Sequence, residues 1–302
     1  MTNANPFAQR STLEYELPPF ALIKEEHYLP AFYEACAAQL AEVQAILDTP
    51  GGATFENTIV ALEKSGQYLG RVLRVFYNKS SSDTNDALNA IEEELAPKFA
   101  AHQDAISLNP VLFKRIKDLY DARESLGLNT EDAWLLERYY KDLIHKGAHL
   151  TEAQRDRLKE LNEELSSLQT QFSKNVLADT NDLAIVVDSV EELDGLSENQ
   201  IAAAAAAAKD RGHDGKWLIG MVNFTGNPVL DSLTNRALRK KIMEASLLKA
   251  NRDNDNDNKQ VLLKMVKLRA ERAKLFGSDT HAEHVIAVQT AEHPDNVHAM
   301  LR

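Results

Sequence analysis

The residues with the most chemistry to offer are the nine histidines, and their spacing is the first question. His145-Lys-Gly-Ala-His149 sets two imidazoles four residues apart, the interval at which one helix face presents two rings to a zinc ion. The position after the first histidine, where such a site carries its glutamate base, is Lys146. Gly147 breaks the helix that would align the rings, so the pair reads as a helix end. His281-Ala-Glu-His284, with His293 and His298 downstream, is the densest cluster. A spacing of three can place His281 and His284 on one face with Glu283 beside them. No third ligand at a fixed interval and no base accompany them, so they read as exposed helix histidines. Asp253-Asn-Asp-Asn-Asp257 imitates the opening of a calcium loop, but Asn258 stands at the glycine position and Lys264 at the bidentate glutamate position. A lysine repels the cation that position must close on. An acidic turn capping the next helix through Asp257 explains these residues better.

Other chemistries find no foothold. There is no Gly-rich phosphate loop and no Gly-x-Ser-x-Gly elbow. Cys36, the single cysteine, falls on an apolar helix face, where core packing is the default. One thiol excludes an intrachain disulfide and a Cys-rich zinc site. The net charge of -12 argues against non-specific nucleic-acid binding, which needs a basic footprint. The N-terminus lacks the basic lead and apolar run of a signal peptide. No stretch is long and apolar enough to span a membrane, so a cytoplasmic protein without a membrane partner is expected.

The elements that would hold any site are helical. In Thr151–Ala178, Leu158, Leu161, Leu165, Leu168 and Phe172 alternate at three and four, followed by Val176, and line one face of a long helix. Thr151 with Gln154 forms a capping box at its start, and Arg155, Lys159, Glu163 and Glu164 are left for water. Before it, residues 1–29 read as an extended lead-in, with Pro18-Pro19 forbidding helix. Helices are predicted from Pro30 to Leu47, from Thr54 to Asn78 across Gly66, from Leu88 to Ile106 across Pro97, from the Asn109-Pro110 cap to Tyr120, and from Thr130 to Gly147.

After the long helix the period changes. Leu183–Val187 and Lys216–Asn223 read as two short strands. Between them Ser197 and Gln200 cap a helix through seven alanines, Ala202–Ala208, which reads as a high-propensity helix packed close to its neighbours. Helices follow from Asn227-Pro228 to Ala250, through Leu262, Met265, Val266, Leu268 and Leu275 to Gly277, and over about 280–290. A last one opens after His293-Pro294-Asp295, and the chain stops within it. The fold class expected is mainly α: a multi-helix body with long antiparallel helices and a small two-stranded β element near 183–223. The 302 residues suffice for one large domain or two ordinary ones.

The order of short phrases carries further information. Asn5-Pro-Phe7, Leu17-Pro-Pro-Phe20, His27-Tyr28 with Pro30-Ala-Phe32, Thr54-Phe-Glu-Asn-Thr-Ile59 and Ala61-Leu-Glu-Lys-Ser-Gly66 come in sequence. Arg71-Val72 with Val75-Phe76, Arg123-Glu-Ser-Leu-Gly-Leu128, Leu161-Asn-Glu-Glu-Leu165, Asn235-Arg236 and Leu268-Arg-Ala-Glu-Arg-Ala273 continue them. Together they resemble the N-terminal half of the thimet oligopeptidase family of zinc metallopeptidases, and within it the bacterial peptidyl-dipeptidase (dipeptidyl carboxypeptidase) type.

The resemblance implies a mostly helical protein with a deep channel. A zinc ion sits on a His-Glu-x-x-His helix, and zinc-bound water attacks the peptide under a glutamate base. Short peptides are the implied substrates, losing C-terminal dipeptides. No His-Glu-x-x-His occurs in Met1–Arg302. Full-length members are roughly twice this length, more than one ordinary domain of extra chain. Their ligands, base and oxyanion donors lie in the C-terminal half, so no catalytic, cofactor-binding or metal residue is assigned here and no zinc is expected on this chain. The expectation is a portion of a larger enzyme that is inactive alone and has the C-terminal catalytic half as its partner. Residues 1–180 would form a helical wall of the substrate channel, and residues 181–302 the β element with helices leading toward the catalytic half. The alternative is a free-standing helical peptide- or protein-binding scaffold without catalysis.

Overall fold

A computed structural model describes residues 5–302. It is mainly α, with a single two-stranded antiparallel sheet among the described residues. Among the described residues thirteen α-helices run in order: α1 (Tyr28–Leu47), α2 (Ala61–Lys64), α3 (Gln67–Ser82), α4 (Asp86–Ser107), α5 (Pro110–Asp121), α6 (Thr130–Lys146), α7 (Glu152–Asp182), α8 (Glu198–Asp210), α9 (Asn223–Ser232), α10 (Arg236–Leu247), α11 (Lys259–Leu275), α12 (His281–Ile286) and α13 (Pro294–Leu301). Strands β1 (Ile185–Val187) and β2 (Trp217–Ile219) flank α8 in sequence and pair Ile185 with Ile219 and Val187 with Trp217. The chain divides into two compact units, Met1–Ser167 with Lys267–Arg302, and Leu168–Val266. Both divisions fall inside helices, α7 and α11.

Local chemistry sets most boundaries. Asn109 Oδ1 accepts from the amides of Val111 and Leu112 ahead of Pro110, which needs no amide partner in the first turn. Thr151 and Gln154 form the reciprocal box that starts α7, and Ser197 and Gln200 the one that starts α8. Gly147 ends α6 at φ +102, a left-handed turn that costs a residue without Cβ little.

The lead-in differs from the extended chain predicted for it. Three 3-10 turns, Glu14–Glu16, Phe20–Leu22 and Glu25–His27, punctuate it, with Pro18-Pro19 between the first two. It is also anchored. Asn5 donates to the His27 carbonyl at 2.9 Å and accepts from the Phe7 amide at 3.1 Å. This seats Phe7 in a core with Tyr28, Phe32, Leu69, Val72, Phe76 and Leu95.

The helix predicted from Thr54 to Asn78 is broken. It begins as a π-helical turn, Phe55–Val60, continues as α2, and restarts at α3 after Gly66. Gly66 takes φ +71, and a Cβ there would lie 2.2 Å from the Gln39 amide nitrogen. This close approach to Gln39 comes with a chain break rather than an uninterrupted helix. The π turn is pinned by Arg115, which donates to Thr58 Oγ1 at 2.8 Å and Asn57 Oδ1 at 2.9 Å. A second core here gathers Ile46, Ile59, Leu62, Leu112, Ile116, Leu136 and Leu143.

In the other unit, Ile185, Val187, Leu193, Ile219, Met221, Leu238 and Ile242 form the core. The single helix predicted from Asn227 to Ala250 is two, α9 and α10, with Asn227-Pro228 inside the first. The chain turns between them because Thr234 donates its amide to the Asp194 carbonyl at 2.9 Å and Asn235 caps α10. Along α11 the face also differs. Val261, Met265 and Leu268 are buried, whereas Leu262 and Val266 are about half exposed (49% and 54%). Two apolar positions expected inside therefore face water.

Candidate functional site

The two histidine motifs, separate in the sequence, meet in the first unit. His145 near the end of α6 stacks on His284 of α12, ring centroids 4.2 Å apart and planes within 8°. Phe276, just past α11, lies 4.2 Å from His284, with His149 at its edge, 6.3 Å away. Thr280 and Glu283 form a capping box that opens α12 and holds His284 in register. His284 is buried, so the reading of His281 and His284 as exposed helix residues is corrected for His284, while His281 is half-buried. Burial, with His145 and Arg272 nearby, pushes the His284 pKa down to about 4. Burial and Arg272 also lower His145 and His281, and Arg269 adds to the effect on His281. Both act by disfavouring a cation.

Arg272 is the member of this group that sequence reasoning missed. Its Nη1 reaches Asn162 Oδ1 at 3.3 Å, and Asn162 in turn donates to both oxygens of Asp104 at 3.0 and 3.1 Å. Arg272 Nε and His281 Nδ1 are buried without a hydrogen-bond partner among the described residues. Burial raises Asp104 and lowers Arg272, so both charges are held at a cost. The stacked rings do not fit a zinc ion: faces 4.2 Å apart aim their lone pairs along parallel planes, not at a common point. No group of three His, Cys, Asp or Glu side chains converges for a metal among the described residues. His293 caps α13 through Asp295, and His298 lies within that helix.

The calcium-like loop serves structure. Asp257 Oδ1 accepts from the Lys259 amide at 2.9 Å and its other oxygen from the Asp253 amide at 2.7 Å, the capping role predicted for it. Lys259 Nζ lies 2.5 Å from Asp253. What the sequence reading overlooked is Asp179, fully buried on α7. It accepts from the Ala250 amide at 2.7 Å, from Arg252 Nε at 3.1 Å and from Asn254 Nδ2 at 3.1 Å. These donors, Arg252 first, hold its pKa down to about 2. Asn175 and Asn258 pair beside it at 2.9 Å, and Asn258 also donates to the Phe172 carbonyl. The signal was available: Asn175 and Asp179 continue the three-and-four spacing of the leucine stripe, so they point inward where an apolar residue would.

Each unit carries a concave surface among its described residues. In the second unit a groove of about 520 Å³ runs along the alanine face of α8, between Leu196, Ala203, Ala207, Leu218 and Met221, with Asn199 and Arg211 also lining it. Ala204 and Ala208 pack inward while Ala202, Ala203 and Ala206 are exposed, so the close packing foreseen for this run holds on one side only. In the first unit a cavity of about 370 Å³ is lined by Leu69, Phe99, Leu112, Leu143 and His102. Cys36 packs beside the first core, and burial pushes its thiol up to about 11, so it stays protonated at neutral pH. Each surface offers contact area for an apolar group. Neither brings a nucleophile together with a base.

The comparisons with known proteins bear on these features. Residues 229–302 match Peptidase family M3. Over 295 residues the chain is 39% identical to the dipeptidyl carboxypeptidase of Escherichia coli, covering 98% of this chain and 43% of that protein. The dipeptidyl carboxypeptidase of Salmonella typhimurium is 34% identical over 300 residues, covering 99% and 44%. Oligopeptidase A of the same organism is 28% identical over 287 residues, covering 94% and 42%. The chain thus spans less than half the length of the curated relatives it matches. With the helical architecture and the ordered phrases above, these matches show a chain similar along its whole length to the N-terminal part of the dipeptidyl carboxypeptidases, with the peptidase family M3 match at residues 229–302.

Proposed function

We propose that this chain is the N-terminal portion of a dipeptidyl carboxypeptidase-type zinc peptidase, that it supplies a wall of the substrate channel, and that it is catalytically inert alone. One observation carries the reading: the chain aligns almost end to end with 43% of a dipeptidyl carboxypeptidase and holds no His-Glu-x-x-His. The zinc, the attacking water and the base then belong to the remaining part of the enzyme. The role left to these helices is to bound the space a peptide enters and to admit only short, flexible chains.

The surfaces support this role. α13 has no buried residue, and its Met300 and Leu301 are about three-quarters exposed (78% and 74%). Leu262 and Val266 on α11 and Leu247 on α10 are also uncovered. Apolar groups left bare in this way suit packing against further chain. No helix among the described residues is long and apolar enough to cross a membrane, in keeping with action on peptides in the cytoplasm.

The test is release of C-terminal dipeptides from an N-blocked tetrapeptide by the 302-residue protein in the presence of zinc. No turnover is expected. Metal-dependent release by the purified chain would overturn the inertness. The scaffold alternative rests on the groove beside α8; saturable binding of the same peptide without cleavage, abolished by Ala203→Trp, would favour it.

A further inference from the structure

The strongest unassigned feature is the stacked histidine group of the first unit. α12 is six residues long, too short to persist without tertiary contacts. Its buried contact is His284, sandwiched between His145 of α6 and Phe276. The groups that face this sandwich are mostly cationic or neutral. From α6 come Asp142 and Lys146, from α11 Arg269 and Arg272, and from α12 itself His281. Asp104 of α4 acts on Arg272 by its charge and through Asn162 of α7, not on the rings, and Glu283 is turned to the cap of α12. Among the described residues Asp142 is therefore the only carboxylate that acts directly on a member of the stack, and it acts on His145.

We propose that the His145–His284–Phe276 stack is an acid-sensitive latch that holds α12 against α6 and the end of α11 while both imidazoles are neutral and releases it when an imidazolium forms. With rings 4.2 Å apart, a proton on one places a charge against the face of the other, and a second proton sets two cations in contact beside Arg272. Asp142 favours a charge on His145, but burial and Arg272 outweigh it, and among the described residues no carboxylate does the same for His284. Undocking α12 hydrates all of these groups at once. The sign follows from linkage. A base whose folded pKa lies below its free value binds its proton more readily in the open form, so the closed state is fully favoured above the free pKa and loses ground as pH falls.

For His284 alone, a shift from 6.5 to about 4 makes opening at pH 5 roughly twentyfold more favourable than at pH 7. The experiment is amide hydrogen exchange across pH 8 to 4.5 on the 302-residue protein, corrected for intrinsic rates, with histidine ring shifts followed by NMR. Protection of 281–286 is expected to fall by about that factor on acidification while α1 and α3 keep theirs. The His284→Phe variant keeps the stack but cannot be protonated there, and its α12 should stay protected at pH 5. His145→Phe provides the same arm should the first variant fold poorly. If α12 in wild type and both Phe variants loses protection at the same pH, or if His145 and His284 titrate near 6.5 with α12 still closed, the latch is refuted.

Discussion

Two buried polar clusters, one in each unit, solve the same problem in opposite ways. Around Asp179 every oxygen has a donor: a backbone amide, a guanidinium and a side-chain amide. The carboxylate is held ionised down to about pH 2. Around Arg272 the partners are incomplete, its charge is disfavoured, and three neighbouring histidines are held neutral. One cluster is a clamp that tolerates acid, the other a strained contact that acid opposes. The difference teaches that burial of polar groups stabilises a helix only where donors and acceptors are counted out.

The comparison can be broken most forcefully at Asp179. Asp179→Ala leaves the Ala250 amide and Asn254 without their acceptor and Arg252 with Asp182 alone, and should cost about 3–5 kcal/mol, measured by urea unfolding of the second unit's signals. A loss below about 1 kcal/mol would mean the cluster is not a clamp. Acid sharpens the contrast next. The Asp179 contribution is present above its free pKa of 3.8 and is lost as pH falls through the folded value of about 2. The histidine contribution is present above 6.5 and declines toward about 4. Hydrogen exchange should therefore show the 281–286 segment opening at a pH where the 250–258 loop is still closed.

Smaller effects probe the surroundings of each cluster. Asn258→Ala removes the bonds to Asn175 and the Phe172 carbonyl and should lower stability by about 1–3 kcal/mol. Gly66→Ala, in the first unit, forces an L-residue to φ +71 and displaces Gln39 from His102, for about 1–2 kcal/mol in thermal unfolding. The exposed Lys117–Asp121 pair serves as the reference: Asp121→Ala should leave Tm unchanged within error.

What the chain revealed before its structure was local. Caps at Asn109, Thr151 and Ser197, the stop at Gly147 and the two short strands all act within a few residues, and pattern alone finds them. What it concealed depends on partners far along the chain. The break at Thr234 answers to Asp194, and the closeness at Gly66 to Gln39. His284 is buried because His145, 139 positions earlier, lies against it. The histidine motifs drew attention for their metal-like spacing, yet the fold joins one ring from each in a stack. Asn175 and Asp179 were the legible clue left unread, since their place in the leucine register required a polar partner.

The account as a whole stands on the separation of housing from chemistry. Its most direct test is zinc content of the 302-residue chain, loaded with excess zinc, passed through gel filtration and measured by atomic absorption. The account predicts no stoichiometric metal on the eluted protein. One zinc retained per chain, together with dipeptide release, would contradict it.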